Sequence, residues 1–394
     1  MEIKVHVDFE DTKIAFSSKS TKQLKRAYLL FAIVNRKWLT ELSTWLVNIA
    51  FSTGIPINWI IRKTVFQHFC GGESIADSEK TMRELKVHNI KSILDYSEEG
   101  ADTEQNFDKS VVETLNTMSM AKDSDWMPFC VFKATGFGRA ALLEKIHRKE
   151  TLTAQEEEEF GNFLKRVESI CQFGFENDVP ILIDAEETWL QDPIDKIAYE
   201  MMEKYNRAKA IVYNTYQMYR VDGLAELKAA FQRATAGNYY LGAKLVRGAY
   251  MEKERARAGE IGYKDPIHVD KRGTDEAINQ GLKFCVNNKQ RIFLFCGSHN
   301  EYSNYYLTIL INKHGLENND PRIYFGQLYG MSDHITYNLA AKGYNVVKYV
   351  PYGSIRQVMP YLFRRAEENT SARGQSSREL KLLKIELKRR RNSN

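Results

Sequence analysis

The sequence is poor in the features that mark exported, disulfide-bonded or metal-binding proteins. Its five cysteines, Cys70, Cys130, Cys171, Cys285 and Cys296, show no Cys-x-x-Cys spacing. Such scatter argues against a disulfide framework and a structural zinc site, and it predicts five free thiols in a reducing compartment. There is also no P-loop, no His-Glu-x-x-His and no spacing of carboxylates and histidines that specifies a metal, so no metal ion is predicted.

An excess of one charge is also missing. The 56 basic and 51 acidic residues leave a formal net charge of +5, whereas a nucleic-acid-binding protein usually carries a strong basic field. The visible excess lies near the end of the chain, at Lys384, Lys388 and positions 389 to 391. We therefore expect no nucleic acid partner and interpret the tail as a solvated helix end.

Long apolar runs and targeting segments are absent as well. The most apolar early stretch, residues 28 to 61, is interrupted by Arg36, Lys37, Glu41 and Pro56, and no run approaches the ~20 apolar residues that cross a bilayer. The beginning, MEIKVHVDFED, resembles neither a signal peptide nor a transit peptide. These absences predict a cytoplasmic protein, whose contact with the inner face of the membrane would be peripheral.

Within the apolar stretch the large side chains follow a helical spacing. Trp38, Leu42, Trp45, Leu46 and Ile49 recur at intervals that place them on one side of a helix. This pattern is typical of an amphipathic helix whose apolar side packs on a core, and we predict that arrangement. The alternative is a peripheral contact with a membrane.

From about residue 88 the chain alternates between short β-branched runs and amphipathic helical stretches. The predicted strands are NIKSIL (89–94), FCVFK (129–133), PILID (180–184), AIVYN (210–214), AKLVR (243–247), RIFLF (291–295), RIYFGQL (322–328) and NVVKY (345–349). This alternation predicts an α/β fold, a parallel (β/α)8 barrel over residues 88–369, close to the usual ~250 residues. A helical arm (1–87) would precede the barrel and a basic helical tail (370–394) would follow it.

Polar residues lie at nearly every predicted strand end. Such a barrel places its active site at the carboxyl ends of its strands, so this distribution indicates a site there. The residues concerned are Asp95, Lys133, Asp184, Asn214, Arg247, Tyr250, Ser298, His299, Gln327 and Tyr349. Any one of them could be an ordinary loop residue, and a single histidine is more often structural than catalytic, so the prediction depends on the whole set.

Two further motifs allow more than one interpretation. After the last strand, a turn through Pro351 and Gly353 leads into a helix with Arg364 and Arg365. Adjacent guanidinium groups suit a carboxylate or phosphate, although they are also common on a solvated helix surface. GFGRAA (136–141) matches a dinucleotide-binding fingerprint, but the expected acidic residue is replaced by a charge run, Glu156 to Glu159, in a helical pattern. We interpret GFGRAA as a strand-to-helix turn.

Several long motifs together resemble the proline dehydrogenase family. They are FCGGES (69–74), LIDAEE (182–187), KLVRGAYMEKERARA (244–258), GQLYGM (326–331) and YVPYGSIRQVMPYLFRRAEEN (349–369), and they occur in the family's order from about residue 56 to the tail. The resemblance implies a distorted (β/α)8 barrel with non-covalent FAD. It also implies oxidation of L-proline to Δ1-pyrroline-5-carboxylate, by hydride transfer from proline C5 to flavin N5, with electrons passed to a quinone.

The resemblance assigns residues to the substrate. Arg364 and Arg365 would hold the proline carboxylate with Lys133, and Asp184 would be a catalytic residue that pairs with Lys133, beside catalytic Lys244. Tyr349, Tyr361 and Leu328 would enclose the pyrrolidine ring, and Glu368 would contact the amine. The substrate set therefore comprises Lys133, Arg364, Arg365, Tyr349, Tyr361, Leu328, Glu368 and the strand-end residue Asp95.

The resemblance also assigns a FAD set: Ala185, Asn214, Lys244, Val246, Arg247, Gly248, Ala249, Tyr250, Ser298, His299 and Gln327. Gly248 would let the backbone approach the cofactor. Two positions depart from the bifunctional bacterial members, which carry Arg at the position of Lys244 and Gln at the position of Asn214. Lysine keeps the charge but loses the planar fork, so hydrogen bonding to the flavin would differ.

Three alternatives remain open from the sequence. Hydroxyproline dehydrogenase would use the same mechanism, and Tyr349 is expected to crowd a 4-hydroxyl group. A barrel lyase could form a Schiff base on Lys133 or Lys244. A non-enzymatic protein could instead use the basic tail to bind an anionic membrane or nucleic acid.

Overall fold

The computed structural model describes residues 7–34, 36–53, 55–96, 103–371 and 375–392, apart from the side chains at 37, 39–41, 48, 366–371, 375 and 376. The chain divides into two compact units. The first comprises Met1–Val5, Lys91–Ile93 and Gly100–Gly326, and the second His6–Ile90, Leu94–Glu99 and Gln327–Asn394. The boundaries predicted at residues 87 and 369 stay a prediction.

Eight strands form a single sheet. They are β1 (Ile90–Tyr96), β2 (Cys130–Lys133), β3 (Ile181–Asp184), β4 (Val212–Gln217), β5 (Leu241–Val246), β6 (Ile292–Gly297), β7 (Ile323–Leu328) and β8 (Val346–Tyr352). Their order is β1-β8-β7-β6-β5-β4-β3-β2, and the pairs from β2 to β7 are parallel. Each predicted run contains one of these strands, and the predicted α/β barrel of the (β/α)8 type is confirmed.

The first unit supplies the helices between β1 and β7. These are α7 (Glu104–Lys122), α8 (Ala140–His147), α9 (Ala154–Glu176), α10 (Thr188–Tyr205), α11 (Gly223–Ala236), α12 (Met251–Ile261), α13 (Lys271–Asn287) and α14 (Glu301–Lys313). GFGRAA joins a short 3-10 turn, Ala134–Gly136, to α8, as the turn interpretation predicted. The charge run opens α9, where Thr153 and Glu156 form a capping box that satisfies exposed backbone N–H groups.

The second unit contains the remaining helices. In chain order they are α1 (Thr12–Ala15), α2 (Thr21–Val34), α3 (Lys37–Ser52), α4 (Asn58–Ile61), α5 (Gln67–Phe69), α6 (Ile75–Lys86), α15 (Asp333–Ala341), α16 (Ile355–Ser371) and α17 (Gln375–Asn392). A π-helical segment, Arg62–Phe66, joins α4 to α5. The core of this unit packs α2 against α16 and α17 through Leu24, Phe31, Val358, Leu382 and Leu383.

The predicted packing of α3 on a core was wrong. Trp38, Leu42, Trp45 and Leu46 are 61%, 44%, 59% and 52% exposed, and among the described side chains of this helix Ala50 alone is buried. The reason is that α2 and the helices that follow α3 supply the core of this unit. Among the described residues, no helix has the length and apolar character needed to cross a membrane.

The basic tail is also less solvated than predicted, since α17 packs one side on the second unit. Its Glu386 is fully buried and accepts hydrogen bonds at 2.7 Å from Arg389 and Arg390, while Arg390 donates to the backbone carbonyls of Phe16 and Lys19. The side chains of Lys384, Lys388 and Arg391 are exposed. The predicted free thiols are confirmed, because all five cysteines are buried and unbonded.

Candidate functional site

In the first unit, charged side chains lie in one row at the carboxyl ends of neighbouring strands. The sheet register places Lys133 beside Asp184 across β2 and β3, and Thr215 beside Lys244 across β4 and β5. Lys244 donates a hydrogen bond to the Asp184 carboxylate and forms an ion pair with it. Lys244 is only 5% exposed, whereas the Asp184 side chain is 19% exposed, so this carboxylate can still meet a ligand.

This ion pair differs from the pairing expected from the sequence. We expected Asp184 to hold Lys133, and the partner that the structure shows for Asp184 is Lys244. A buried lysine tends to lose its proton, and a carboxylate beside it favours the charged form. Asp184 therefore keeps a cation in place inside the row, although on a different lysine.

A second carboxyl group near Lys133 was missed by the sequence analysis. Glu186 is buried and accepts hydrogen bonds from the Thr135 backbone N–H at 2.9 Å and from the Thr135 hydroxyl at 2.6 Å. Burial raises the pKa of Glu186 to about 7, although the Thr135 hydrogen bonds and the charge of Lys133 oppose this shift. Its presence in LIDAEE was the only available signal, because the motif does not show which of its carboxyl groups is buried.

Asn214 does not join this row. Along β4 it alternates with Thr215, so its side chain points to the opposite face of the sheet. There its amide donates a hydrogen bond of 2.7 Å to Asp195 of α10, which also accepts one of 2.8 Å from Gln191. Burial raises the pKa of Asp195 to about 6. The assignment of Asn214 to a flavin contact stays a prediction.

The segment that follows β5 becomes progressively more open. Residues 241–245 are buried, Val246 to Gly248 and Tyr250 are half-buried, and Ala249 is exposed. Gly248 has φ +119°, and a Cβ atom there would lie 2.4 Å from the ring of Tyr219. The chain therefore needs glycine at this position for its own packing, whether or not a cofactor approaches the backbone.

Arg247 is held by an acidic residue of the same unit. It forms an ion pair with Asp275, which also accepts hydrogen bonds of 3.0 Å from Lys271 and from the amide of Asn300. Burial of Asp275 opposes ionisation, but Arg247 and Lys271 outweigh it and lower the pKa of this carboxyl. Asp275 therefore fixes the direction of the guanidinium.

The loop after β6 places the next two predicted residues. Ser298 is buried, and its hydroxyl accepts a hydrogen bond of 3.1 Å from the Asn300 backbone N–H. The Asn304 amide donates at 3.0 Å to the Ser298 carbonyl, while His299 is half-buried. Ala185, also predicted for the cofactor, is half-buried directly after Asp184.

The second unit contains most of the predicted substrate set. Arg365 is 7% exposed, and its guanidinium carbon lies 5.1 Å from the centroid of the Tyr361 ring. This burial argues against the solvated-surface interpretation for Arg365, whereas Arg364 is half-buried. Tyr349 and Tyr361 are buried, as expected of residues that enclose an apolar ring.

The remaining predicted residues of this unit are more varied. Gln327 is buried and accepts a hydrogen bond of 2.9 Å from the Thr336 hydroxyl. Leu328 is half-buried, and so is Asp95, whose charge adds to burial in raising the pKa of the Cys70 thiol. The side chain of Glu368 lies outside the described part of the structure.

The first unit has the donor set that an anionic dinucleotide requires. Lys244 and Arg247 supply cations, and the half-buried backbone from Val246 to Tyr250 supplies polar groups beside them. Flavins are held by such cations and backbone groups, so the residues fit FAD. Among the described residues, no cluster of three or more His, Cys, Asp or Glu side chains could hold a metal ion.

Comparisons with known proteins agree with this site. The family model described as proline dehydrogenase matches residues 78–378. The protein named proline dehydrogenase 1, mitochondrial, of Dictyostelium discoideum is 32% identical over 426 residues, which cover 96% of this chain and 74% of that protein. Hydroxyproline dehydrogenase of Xenopus laevis is 28% identical over 412 residues, covering 95% and 88%.

The solved structures include a match over nearly the whole chain. Proline utilization A from Bdellovibrio bacteriovorus, inactivated by N-propargylglycine, has a TM-score of 0.73 at 18% identity. The match covers 94% of this chain but only 40% of that one. At this identity the likeness shows the fold alone.

Proposed function

Because the chain belongs to the proline dehydrogenase family and is an enzyme that oxidises proline, we propose that it converts L-proline to Δ1-pyrroline-5-carboxylate, with FAD as cofactor and a quinone as electron acceptor. The observation that carries this proposal is the strand-end row of Lys133, Asp184 and Lys244, which lies inside the matched residues. It provides fixed charges where a barrel enzyme has its active site.

FAD, when bound, would supply the N5 atom that accepts the hydride from proline C5. The chain would hold FAD through Lys244, Arg247 and the backbone from Val246 to Tyr250, with Ser298, His299 and Gln327 as further contacts assigned by the resemblance. Asp184 and Asp275 fix the two cations before FAD binds. Such preorganisation lowers the cost of ordering side chains on binding.

We assign the proline carboxylate to Arg365, Arg364 and Lys133. The burial of Arg365 and its stacking on Tyr361 support this, because a charge-assisted hydrogen bond is stronger where water is excluded. Tyr349, Tyr361 and Leu328 would exclude water from the pyrrolidine ring and orient C5. Effective hydride transfer needs such a close and aligned approach.

Preference between proline and hydroxyproline is the finer part of the proposal. A hydroxyproline dehydrogenase is among the relatives, so the reaction with a 4-hydroxylated ring is the second candidate. Tyr349 is 6% exposed, and an enclosed aromatic ring beside the substrate leaves little room for a 4-hydroxyl group. We expect a higher kcat/KM for L-proline than for trans-4-hydroxy-L-proline, measured with the same soluble quinone.

The quinone acceptor implies a further contact. Quinones that accept electrons from such enzymes are dissolved in the bilayer, so we include peripheral membrane contact in the proposed function. This contact needs no helix that crosses the membrane.

The test is the visible spectrum of the purified protein with and without proline. We expect a flavin spectrum that L-proline bleaches under anaerobic conditions and that a soluble quinone restores. D-Proline serves as the matched control, since it carries the same groups in the wrong arrangement. A preparation that binds no flavin when FAD is supplied, or a flavin that L-proline leaves oxidised, would refute the proposal.

The carboxylate assignment has a separate test. Arg365→Met should raise KM for proline with FAD retained, because losing a charge-assisted hydrogen bond to a buried carboxylate costs ~1.5 to 3 kcal/mol. Arg356→Met is the matched control, since Arg356 lies on the same helix and is exposed. Equal kinetics for the two variants would show that Arg365 does not hold the substrate.

A further inference from the structure

An unusual concentration of exposed apolar side chains lies on the helices before residue 61. Of the eighteen large apolar side chains that are exposed among the described residues, nine fall between positions 29 and 60. We call these nine the arm face: Leu29, Ile33, Trp38, Leu42, Trp45, Leu46, Ile55, Trp59 and Ile60, which are 44% to 62% exposed. Soluble proteins rarely leave so many large apolar groups in water without a partner for them.

The arm face is presented by helices that are already folded. α2 buries its other side, with Leu24, Ala27 and Phe31 in the core of the second unit, and Ile61 and Phe66 anchor the chain after α4. Along α3, positions 38, 42, 45 and 46 have the spacing that puts side chains on one side of a helix. The arm face is therefore the outer side of an anchored element.

The charge of the same stretch favours an anionic partner. Residues 20–63 contain seven basic residues and one acidic residue, a net charge of +6, whereas the whole chain carries +5. The side chains of Lys22, Lys25, Arg26, Arg36 and Lys63 are exposed. The Nζ atom of Lys63 lies 5.8 Å from the centroid of the Trp59 ring, so cation and aromatic ring occur together.

The residue types indicate what covers the arm face. Three of the five tryptophans of the chain, Trp38, Trp45 and Trp59, belong to it. Tryptophan is enriched at the level of lipid headgroups, and amphipathic helices that lie on a membrane combine such apolar groups with lysine and arginine. A second copy of this chain fits poorly, because a symmetric contact would bring the +6 stretch against itself.

We infer that the arm face docks on the surface of an anionic phospholipid bilayer, with Trp38, Trp45 and Trp59 at the level of the headgroups. This assigns the membrane contact to the arm rather than to the basic tail, where Arg389 and Arg390 are already paired with Glu386. The inference rests on the proposed function only for the purpose of the contact, which is access to a quinone in the bilayer.

The test is co-sedimentation of the full-length protein with vesicles of phosphatidylcholine alone or mixed with phosphatidylglycerol. The wild type should bind the anionic vesicles, and Trp45→Glu/Leu46→Glu should weaken that binding by about tenfold or more, because two charges replace apolar groups at the interface. Val112→Glu is the matched control, since Val112 is 57% exposed on α7 of the first unit and should leave binding unchanged. Equal binding of wild type and double variant would overturn the inference.

Two further readouts distinguish docking through the arm face from a failed reaction, from docking through the tail and from self-association. Bleaching of the flavin by L-proline in solution should be the same in wild type and double variant, so a failed reaction and a failed membrane contact give different results. Lys388→Glu/Arg391→Glu should still bind anionic vesicles, and loss of binding there would assign the contact to the tail instead. A wild-type dimer that the arm substitutions convert to a monomer, without vesicle binding by either, would show self-association and overturn the inference.

Discussion

Each compact unit contains an aspartate that holds a buried lysine, and the two arrangements differ in how completely they are enclosed. In the second unit Asp333 pairs with Lys348 at 3.0 Å and also with Lys19. Lys348 is fully buried and donates two more hydrogen bonds, of 3.2 Å and 2.5 Å, to the carbonyls of Leu328 and Met331. In the first unit Asp184 pairs with Lys244, and its side chain is 19% exposed against 8% for Asp333.

This difference distinguishes a structural ion pair from one that can serve a ligand. The three donors of the Lys348 ammonium group are all used inside the protein, so no ligand can bind there. Burial lowers the pKa of Lys348 in spite of Asp333, while Lys19 and Lys348 together outweigh burial and lower the pKa of Asp333. The Asp184 carboxylate, by contrast, keeps contact with its surroundings at the end of a strand.

The largest effect is expected from breaking the enclosed arrangement. Asp333→Ala should lower the free energy of unfolding by ~3 to 5 kcal/mol, because it leaves buried lysines without their carboxylate. Urea denaturation measures this loss. If the variant does not fold, Asp333→Asn/Lys348→Met should recover folding, since it removes the fully buried cation as well. Stability equal to the wild type in Asp333→Ala would show that the charges are not enclosed.

The next effect concerns the pH dependence of stability in the first unit. Burial raises the pKa of Glu186 from 4.5 to about 7, so the folded state favours the protonated carboxyl group. The contribution of Glu186 to the free energy of unfolding should therefore decline as the pH rises through the window from 4.5 to about 7. Glu186→Gln should remove this decline, which is on the order of 3 kcal/mol at most.

Urea denaturation at several pH values between these limits gives the measurement for Glu186. The variant keeps an oxygen that can accept the Thr135 N–H, so the packing should change little. Parallel pH profiles for the wild type and Glu186→Gln would contradict the shifted pKa.

The open ion pair should behave in the opposite way to the enclosed one. Asp184→Asn should lower kcat/KM for proline by about 10- to 100-fold, corresponding to ~1.5 to 3 kcal/mol for a hydrogen bond to a charged group. Its effect on unfolding should be smaller than that of Asp333→Ala. Asp222→Asn is the control, since Asp222 pairs with Arg220 on the same unit and is 46% exposed. A variant with full activity and a large loss of stability would make Asp184 structural.

The smallest effect should come from an exposed pair. Arg272 and Glu276 lie one helical turn apart on α13, with side chains 85% and 56% exposed. Arg272→Ala should change the free energy of unfolding by less than ~0.5 kcal/mol, because water screens such pairs. The same urea titration provides the measurement. A loss comparable to that of Asp333→Ala would break the relation between enclosure and stability.

Much of the fold followed from local patterns. Each predicted run contains an observed strand because β-branched segments bounded by turns report their own conformation, and barrel topology follows from regular alternation. The predicted turn at GFGRAA also depends on neighbouring residues alone. The apolar spacing of α3 correctly indicated an amphipathic helix, but its direction toward the core was wrong, since spacing does not show which elements cover a helix.

The candidate site was predicted less completely. Position at a strand end is local, so Lys133, Asp184 and Lys244 could be singled out together. Their pairing was not predictable, because it depends on the register between β3 and β5, across the intervening strand β4. Glu186 and Asp195 were missed for the same reason, as only the fold determines which carboxyl groups are buried.

By itself, the sequence determined the strands, the free thiols, the family and the positions of the charged residues along the chain. These properties depend on residue type and on neighbours within a few positions. The tertiary structure alone decided which lysine Asp184 holds, why Gly248 must be glycine, and that the arm face meets solvent. Those properties arise from contacts between residues far apart in the chain, whose pairing is set by strand register and by which helices share a core.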